Sequence, residues 1–325
     1  MSYSMKAALV LVIALVALGL AFYLLRPLRV KPTPADFICY EPGQGSYVPL
    51  ETPPRAFGIG LSYAAHIEET ASSFDPRSAP PVFEKRPSAV VRTGAEVRVP
   101  TTDELIEAAD AFEPGLGPLL RENFPDLAPL LDYEVEMGLV LLEDIDPSRL
   151  EDPSFTPRLG FFVANDLSAR SIAILGEGRP NRYEYWGISK SFPGFMPIAD
   201  RAWVPEQPER NGIPCVEIEL LVNGEIRQRQ STANLIYTPL EMLGFVHAAF
   251  PEAPLTAGTI VLTGTPGGVA MSTPRWLVRL GNLVRLSRFK KLTAKLGGDT
   301  SRFVGAGDIV VARAQGLGEA TITLR

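Results

Sequence analysis

Two glutamates, Glu134 and Glu136, stand beside an apolar strand-like run, and their position constrains the fold strongly. Successive side chains of a strand point to opposite faces, so these two glutamates share a face. Tyr133, Val135 and the run 139–142 favour a buried strand. Because buried acids are costly unless positive charge offsets them, the pattern predicts a cation site there. The alternative is that the two glutamates line the solvent-exposed face of an edge strand.

A third carboxylate, Asp166, follows in the string Ala164-Asn-Asp-Leu-Ser-Ala-Arg170. An all-oxygen set of ligands suits a hard cation such as Mg²⁺, with Mn²⁺ or Ca²⁺ as alternatives. The chain has only two histidines, His66 and His247, which argues against a histidine-rich zinc centre. The net charge of −6 argues against a general nucleic-acid binder.

From residue 57 onward, short apolar runs alternate with glycine and proline turns, which predicts an α+β, β-dominated fold. Asn223-Gly224 after an apolar run predicts a hairpin. Few segments have a helical pattern, and the clearest are Thr102–Phe112 and Pro239–Phe250. Strands are predicted over 216–222, 259–262, 309–312 and 320–324.

The N-terminal part differs from this globular pattern. Residues 7–25 are apolar and uncharged, and their helical length approaches the ~30 Å core of a bilayer. We expect a transmembrane helix within residues 1–26, a proline-rich tether over 27–56 and a single-pass protein. The positive-inside tendency places the C-terminal body on the cytoplasmic side. A cleaved signal peptide is the rival interpretation. Cys39 and Cys215 are far apart and predict no disulfide framework.

A series of motifs in a fixed order carries a family resemblance. They are Ile59-Gly-Leu-Ser-Tyr63, His66-Ile-Glu-Glu69, Phe83-Glu-Lys85, Asp132-Tyr-Glu-Val-Glu136, Asn165-Asp-Leu-Ser-Ala-Arg170, Ser189-Lys-Ser-Phe192, Asn223-Gly-Glu225, Leu262-Thr-Gly-Thr-Pro266 and Gly305-Ala-Gly-Asp308. Over residues 57–325 the chain resembles the fumarylacetoacetate hydrolase family. The resemblance implies a rolled mixed β-sheet core, a homodimer, and Mg²⁺ or Mn²⁺ held by Glu134, Glu136 and Asp166.

The resemblance also implies roles for five further residues. His66, assisted by Glu69, would be a general base on a lid over the metal; the i, i+3 spacing lets the two side chains touch on a helix. Lys190 would bind the substrate's oxygens near the metal. Arg170 would bind a substrate carboxylate, or else form a salt bridge within the scaffold. The turn at Thr265 would receive a carboxylate through its hydroxyl and backbone amides.

The chain also departs from the family pattern. Ser62, Pro193 and Asp200 stand where many members have other residues, which puts the wall of the substrate pocket in doubt. Two stretches, 101–129 and 272–302, lack a counterpart in compact members. The second is strongly basic, and its apolar residues change face, which predicts a helix break near 284–286. It would form either a surface helical pair or a contact with membrane lipid.

These observations predict a metal-dependent enzyme acting on a small keto acid. The leading expectation is hydrolysis of a C–C bond in an acylpyruvate or β-diketo acid, with a metal-stabilised enolate. Decarboxylation of an oxaloacetate-type acid, or isomerisation or hydration of a dienoate, would use the same site. A hypothesis of another class is a catalytically silent, membrane-bound interaction module.

Overall fold

The computed structural model describes residues 3–25, 32–70, 78–271, 276, 280–281 and 283–325, with the side chains of the first helix described from residue 13. Helices in this part of the chain are mostly short. They are α1 (Tyr3–Leu25), α2 (Ala64–Thr70), α3 (Thr102–Phe112), α4 (Leu116–Asn123), α5 (Arg170–Leu175), α6 (Arg182–Ser189), α7 (Pro239–Ala249) and α8 (Arg288–Leu296).

Strands hold more residues of the body than helices do, as the sequence pattern predicts. They are β1 (Ile38–Tyr40), β2 (Gly45–Pro49), β3 (Ala56–Ile59), β4 (Val82–Lys85), β5 (Val90–Arg92), β6 (Ala95–Val97), β7 (Leu131–Asp132), β8 (Val135–Leu141), β9 (Leu159–Asn165), β10 (Ser168–Ala169), β11 (Met196–Ile198), β12 (Arg201–Pro205), β13 (Gly212–Pro214), β14 (Glu217–Val222), β15 (Glu225–Ser231), β16 (Ile260–Leu262), β17 (Ile309–Ala314) and β18 (Gly318–Leu324).

Two sheets pack face to face and enclose the core. The larger has the order β2-β12-β9-β8-β16-β3-β4, with β11 and β5 attached beside β9. It is mixed, because β16 and β3 run parallel whereas most other pairs are antiparallel. The smaller has the order β15-β14-β17-β18-β6, and β14 and β17 contact β8 from across the core. The β-dominated α+β fold is therefore confirmed.

The central pair β8 and β9 is buried along its whole length. Its antiparallel register sets Val135 opposite Asn165 and Glu136 opposite Ala164. Continuing that register by one residue sets Glu134 opposite Asp166, and the Asp166 amide donates a 2.8 Å hydrogen bond to the Glu134 carbonyl. The end of this strand pair therefore gathers acidic side chains at one edge of the core.

Local signals in the sequence predicted several elements well. Helix α3 has the expected bounds and a capping box between Thr101 and Glu104. Helix α7 has a capping box between Thr238 and Glu241 and ends one residue earlier than expected. The hairpin β14–β15 turns at Asn223 and Gly224, both with positive φ, which is the backbone that an Asn-Gly turn favours.

The basic 272–302 stretch is partly outside the described residues, including Arg275 and Arg279. Its later half contains helix α8, which is capped by Ser287 and follows a turn at Arg285, whose φ is +51°. The expected break is therefore present. Leu292 is fully buried, and the Phe289 ring packs edge-on against the Phe124 ring, with 5.7 Å between their centroids. The apolar face of α8 thus packs on the protein itself.

The expected transmembrane anchor is not supported. Within the described residues, no helix combines the length and apolarity needed to cross a bilayer. The prediction of a single-pass protein with its body on the cytoplasmic side is therefore wrong.

A disulfide between Cys39 and Cys215 also corrects the sequence interpretation. Strand β1 pairs in parallel with β13, which sets Cys39 opposite Ile213. This pairing brings the two Cα atoms to 5.1 Å across a sequence separation of 176 residues. Spacing in the sequence carries no signal for such a bond, because the contact depends on the pairing of distant strands.

Removing this bond should destabilise the protein. The double substitution Cys39→Ser, Cys215→Ser should lower the free energy of unfolding by roughly 2–5 kcal/mol, because a long loop in the unfolded chain loses its constraint. Denaturant unfolding under non-reducing conditions measures this. Dithiothreitol should lower the midpoint of the unsubstituted protein and leave the double variant unchanged. Equal midpoints for both proteins without reductant would contradict the assignment.

Candidate metal centre

Three buried carboxylates converge at the end of the β8–β9 pair. Each of Glu134, Glu136 and Asp166 offers an oxygen, and these oxygens lie within 4.8 Å of one another. All three residues are less than 5% exposed. Carboxylate oxygens at this separation are a donor set that suits a hard divalent cation. The structure therefore brings together the three residues that the sequence predicts as metal ligands.

Backbone geometry places each carboxylate. Glu134 precedes β8 rather than lying within it, which corrects the expectation that both glutamates belong to one strand. Its amide donates to the Asn165 side-chain oxygen at 3.0 Å. Glu136 lies inside β8 and accepts a 2.7 Å hydrogen bond from the Gly264 amide. Asp166 follows directly after the last residue of β9.

Three buried cations pair with these acids. Lys190, at the end of α6, donates to Asp166 at 2.7 Å and also to Glu134. Lys85 donates to the other oxygen of Asp166 and to the Phe195 carbonyl, the latter at 3.2 Å. Arg170 bridges Glu134 and Asp132, with 2.7 Å from its Nε to the Asp132 carboxylate.

The cluster holds more negative than positive charge. It contains four carboxylates, since Asp132 adds to the three named above, but only three cations. Burial and the neighbouring Asp166 raise the pKa of Glu136 well above its usual range. Burial would also raise the pKa of Glu134, but Arg170 and Lys190 hold it below its usual range. A bound divalent cation would supply the positive charge that Glu136 lacks and would favour its ionised form. The residues present therefore fit a metal ion.

His66 lies on helix α2 and is buried close to this cluster. Burial lowers the pKa of its imidazole to about 4, and the Arg170 charge acts in the same direction whereas Glu134 opposes it. The ring is therefore neutral near pH 7, the state in which it can accept a proton. Its predicted partner Glu69 lies three residues along α2 and accepts a 2.9 Å hydrogen bond from the Gly268 amide.

The predicted turn at Thr265 lies against the metal strand. Gln228 holds it there: the Val135 amide donates to the Gln228 oxygen at 2.9 Å, and the Gln228 amide donates to the Thr265 hydroxyl at 2.9 Å. Gly264 has φ +93°, and a Cβ at this position would lie 2.6 Å from the Ile59 carbonyl. Only glycine fits there, so the Gly264 amide can reach Glu136.

Sequence reasoning missed the parts that Asp132, Lys85 and Gln228 play. Asp132 and Lys85 stand in quoted motifs, but their roles depend on partners far along the chain. Asp132 accepts backbone hydrogen bonds from Tyr133, Ala270 and Met271 at 2.7–3.1 Å, as well as the Arg170 bond. Arg170 therefore forms the salt bridge within the scaffold that the sequence offered as one alternative. Its contact with a substrate carboxylate stays a prediction.

Comparison with known proteins gives the family. The model of the fumarylacetoacetate (FAA) hydrolase C-terminal family matches residues 55–325. The mitochondrial oxaloacetate tautomerase oaa1 of Schizosaccharomyces pombe is 30% identical over 223 residues, which cover 66% of this chain and 82% of that protein. The oxaloacetate tautomerase YisK of Bacillus subtilis is 26% identical over 234 residues, covering 70% of this chain and 64% of that protein.

Solved structures agree on the fold. Fumarylpyruvate hydrolase from Pseudomonas aeruginosa, in complex with Mn²⁺ and pyruvate, superposes with a TM-score of 0.51 at 23% identity and covers 92% of this chain and 99% of its own. A fumarylacetoacetate hydrolase from Exiguobacterium antarcticum gives a TM-score of 0.51 at 22% identity, with 84% and 76% covered. With its strand-end carboxylates and the match over residues 55–325, the chain belongs to the fumarylacetoacetate hydrolase family.

Proposed function

We propose that this chain is a metal-dependent enzyme that hydrolyses a C–C bond in a small acylpyruvate or β-diketo acid. The observation that carries the proposal is a neutral, buried histidine beside a cluster of carboxylates able to hold a divalent cation. Glu134, Glu136 and Asp166 would hold Mg²⁺ or Mn²⁺. When bound, the metal would supply Lewis-acid stabilisation of negative charge on the substrate's oxygens.

The residues of the chain divide the remaining tasks. His66 would take a proton from water, since its low pKa keeps the ring neutral and ready to accept one. Glu69, fixed by the Gly268 amide, would orient the imidazole. Lys190 would place its ammonium beside the keto oxygen, and Thr265 would hold the substrate carboxylate. Burial of Lys190 lowers its pKa, but Asp166 and Glu134 outweigh this effect, so the lysine stays charged.

The reaction balances with these groups alone. The water activated by His66 would attack the distal carbonyl carbon of the acylpyruvate. The bond from that carbon to the neighbouring CH₂ then breaks, and its electron pair passes to the pyruvate fragment as an enolate. The proton held by His66 returns to the CH₂ carbon, which gives pyruvate and a carboxylic acid. No redox partner is needed.

Tautomerisation of a 2-oxo acid is the second candidate. It is favoured by the 30% identity to the oxaloacetate tautomerase of S. pombe. For tautomerisation, a base that moves a proton between carbon and solvent would suffice. No water would attack the substrate and no C–C bond would break. Decarboxylation and dienoate isomerisation would use the same groups.

We also propose, from its membership of the family, that the protein assembles as a homodimer.

Two assays separate these candidates. The full chain with Mg²⁺ or Mn²⁺ should release pyruvate from an acylpyruvate, measured with a coupled lactate dehydrogenase assay. The tautomerase candidate instead predicts faster enol–keto conversion of oxaloacetate, seen as decay of enol absorbance, with pyruvate release no faster than in buffer. Activity in neither assay would favour the catalytically silent module.

The metal prediction concerns the acidic cluster. Glu134→Gln, Glu136→Gln and Asp166→Asn should each weaken Mn²⁺ binding by at least about 10-fold, because each removes a charged oxygen ligand. Mn²⁺ binding is measured by loss of the free-ion signal in electron paramagnetic resonance. Glu122→Gln, an exposed acid on α4, is the matched control and should bind normally. Anomalous density of Mn²⁺ away from the three carboxylates would rule out the assignment.

The base prediction concerns His66 and Glu69. His66→Ala and Glu69→Gln should each lower kcat for hydrolysis by roughly 10²- to 10⁴-fold, the usual contribution of a positioned acid or base, while Mn²⁺ affinity stays near normal. Matched controls are His247→Ala, the other histidine, and Glu68→Gln, the exposed neighbour on the same helix. Full hydrolytic activity in His66→Ala would make the pair structural.

A further inference from the structure

The start of helix α2, which carries the proposed general base, is held by the loop of residues 232–236. Tyr63, directly before α2, forms an antiparallel bridge with Leu235. The Ile236 amide donates a 3.0 Å hydrogen bond to the Ser62 carbonyl. Tyr63 and Leu235 are both fully buried. The position of the first turn of α2 therefore depends on the position of the 232–236 loop.

The end of α2 has a different support. Glu69 accepts its 2.9 Å hydrogen bond from the Gly268 amide, and Gly268 packs closely on strand β15. A Cβ at Gly268 would lie 2.7 Å from the Arg227 carbonyl. Strand β15 pairs along its length with β14, so this end of the helix rests on a sheet. The start of α2, where His66 lies, rests on a loop instead.

Thr232 fastens this loop to the residues on either side of Cys215. Its hydroxyl accepts a 2.9 Å hydrogen bond from the Val216 amide and donates a 2.6 Å hydrogen bond to the Pro214 carbonyl. Its own amide donates to the Val216 carbonyl at 2.9 Å. Thr232 is fully buried, which strengthens its dependence on these partners. The loop therefore follows any movement of residues 214–216.

The N-terminal segment, defined here as residues 35–39, reaches the same two points. The Ala35 amide donates a 2.9 Å hydrogen bond to the Leu235 carbonyl. The disulfide joins Cys39 to Cys215, between the two residues that hold the loop. The segment thus contacts the loop directly at Leu235 and acts on it a second time through the disulfide.

The disulfide is the main fastening of the N-terminal segment. Strand β1 has three residues and pairs with β13 in a two-stranded sheet, and Ile38 is 49% exposed. A pairing this short buries little apolar surface and opens readily. Beyond the disulfide, Tyr40 packs on Trp203 with 5.7 Å between ring centroids, and β2 pairs with β12 over five residues. Cleavage of the bond would therefore free residues 35–39 and leave the chain from Tyr40 onward in place.

We propose that the Cys39–Cys215 disulfide is a redox-sensitive control of the active site, opened by a dithiol reductant. A thiolate of the reductant attacks the sulfur of Cys39, the more exposed of the two residues. The S–S bond breaks, and Cys215 leaves as a thiolate that takes up a proton. The second thiol of the reductant then displaces Cys39 from the mixed disulfide. The reductant loses two electrons and two protons, and both cysteines become thiols.

Reduction acts on the base and spares the metal ligands. Once residues 35–39 are free, the 232–236 loop loses its contact at Leu235 and its covalent support beside Thr232, so the start of α2 can move and displace His66. The three carboxylates lie at the end of the β8–β9 pair, away from this loop. The inference rests on the proposed function, because it assigns the loss of activity to His66.

Hydrogen exchange of the full chain tests the coupling without turnover. Protein with the disulfide intact and protein reduced with dithiothreitol are compared at short exchange times, before global unfolding contributes, in peptides covering 62–70 and 135–141. Reduction should speed exchange over 62–70 by at least ~10-fold, because the Ile67 amide bonds to the Tyr63 carbonyl in the turn that is released. The peptide over 135–141, from the buried strand β8, should stay protected in both states.

Activity should follow the same change. Reduction should lower kcat for hydrolysis of an acylpyruvate with Mg²⁺ by roughly 10- to 100-fold, because a displaced base is poorly aligned with water. Reoxidation with oxidised glutathione should restore kcat. The double variant Cys39→Ser, Cys215→Ser should have the kcat of the reduced protein, should not respond to dithiothreitol, and should bind Mn²⁺ with near-normal affinity.

Two substitutions at Thr232 separate the contact relay from general destabilisation. Thr232→Val removes the hydroxyl that ties the loop to Pro214 and Val216, and should speed exchange over 62–70 while the disulfide is intact. Thr232→Ser keeps the hydroxyl and should exchange like the unsubstituted protein.

The outcomes distinguish this inference from the proposed function. Equal exchange over 62–70 in the two redox states, or equally faster exchange over 62–70 and 135–141, would overturn the inference and leave the proposed function standing. Redox-dependent exchange over 62–70 in a protein that hydrolyses no acylpyruvate would reject the proposed function and leave the control of α2 in place.

Discussion

The antiparallel pairing of β8 and β9 is the constraint on which the site depends. It gathers carboxylates at the end of a fully buried strand pair, where each charge would be costly in isolation. Lys85, Arg170 and Lys190 reach the same point from three other parts of the chain and make the arrangement tolerable. The fold therefore converges on these acids from several directions, and loss of one cation would leave a buried charge unpaired.

Sequence reasoning found the acids and the elements with local signals. Glu134, Glu136 and Asp166 stand in short strings whose residue types are informative by themselves, and α3 carries a capping box that can be read from four residues. The salt bridge from Lys85 to Asp166 joins residues 81 apart, and the hydrogen bond from Ala270 to Asp132 joins residues 138 apart. No local pattern predicts such pairs, because they arise only when the sheets close.

Two of the errors differ in origin. Hydropathy alone predicted an anchor from residues 7–25, whereas the disulfide was missed because Cys39 and Cys215 meet through a parallel strand pair. In the first case a local property was given too much weight; in the second a non-local contact left no trace in the spacing.

Asp132 has a consequence beyond its place in the cluster. One carboxylate fastens the start of the 272–302 stretch, while the adjacent residue, Leu131, fastens its end. The same carboxylate also holds Arg170, which pairs with Glu134. Loss of Asp132 would therefore release the start of the stretch and disturb the carboxylate cluster together.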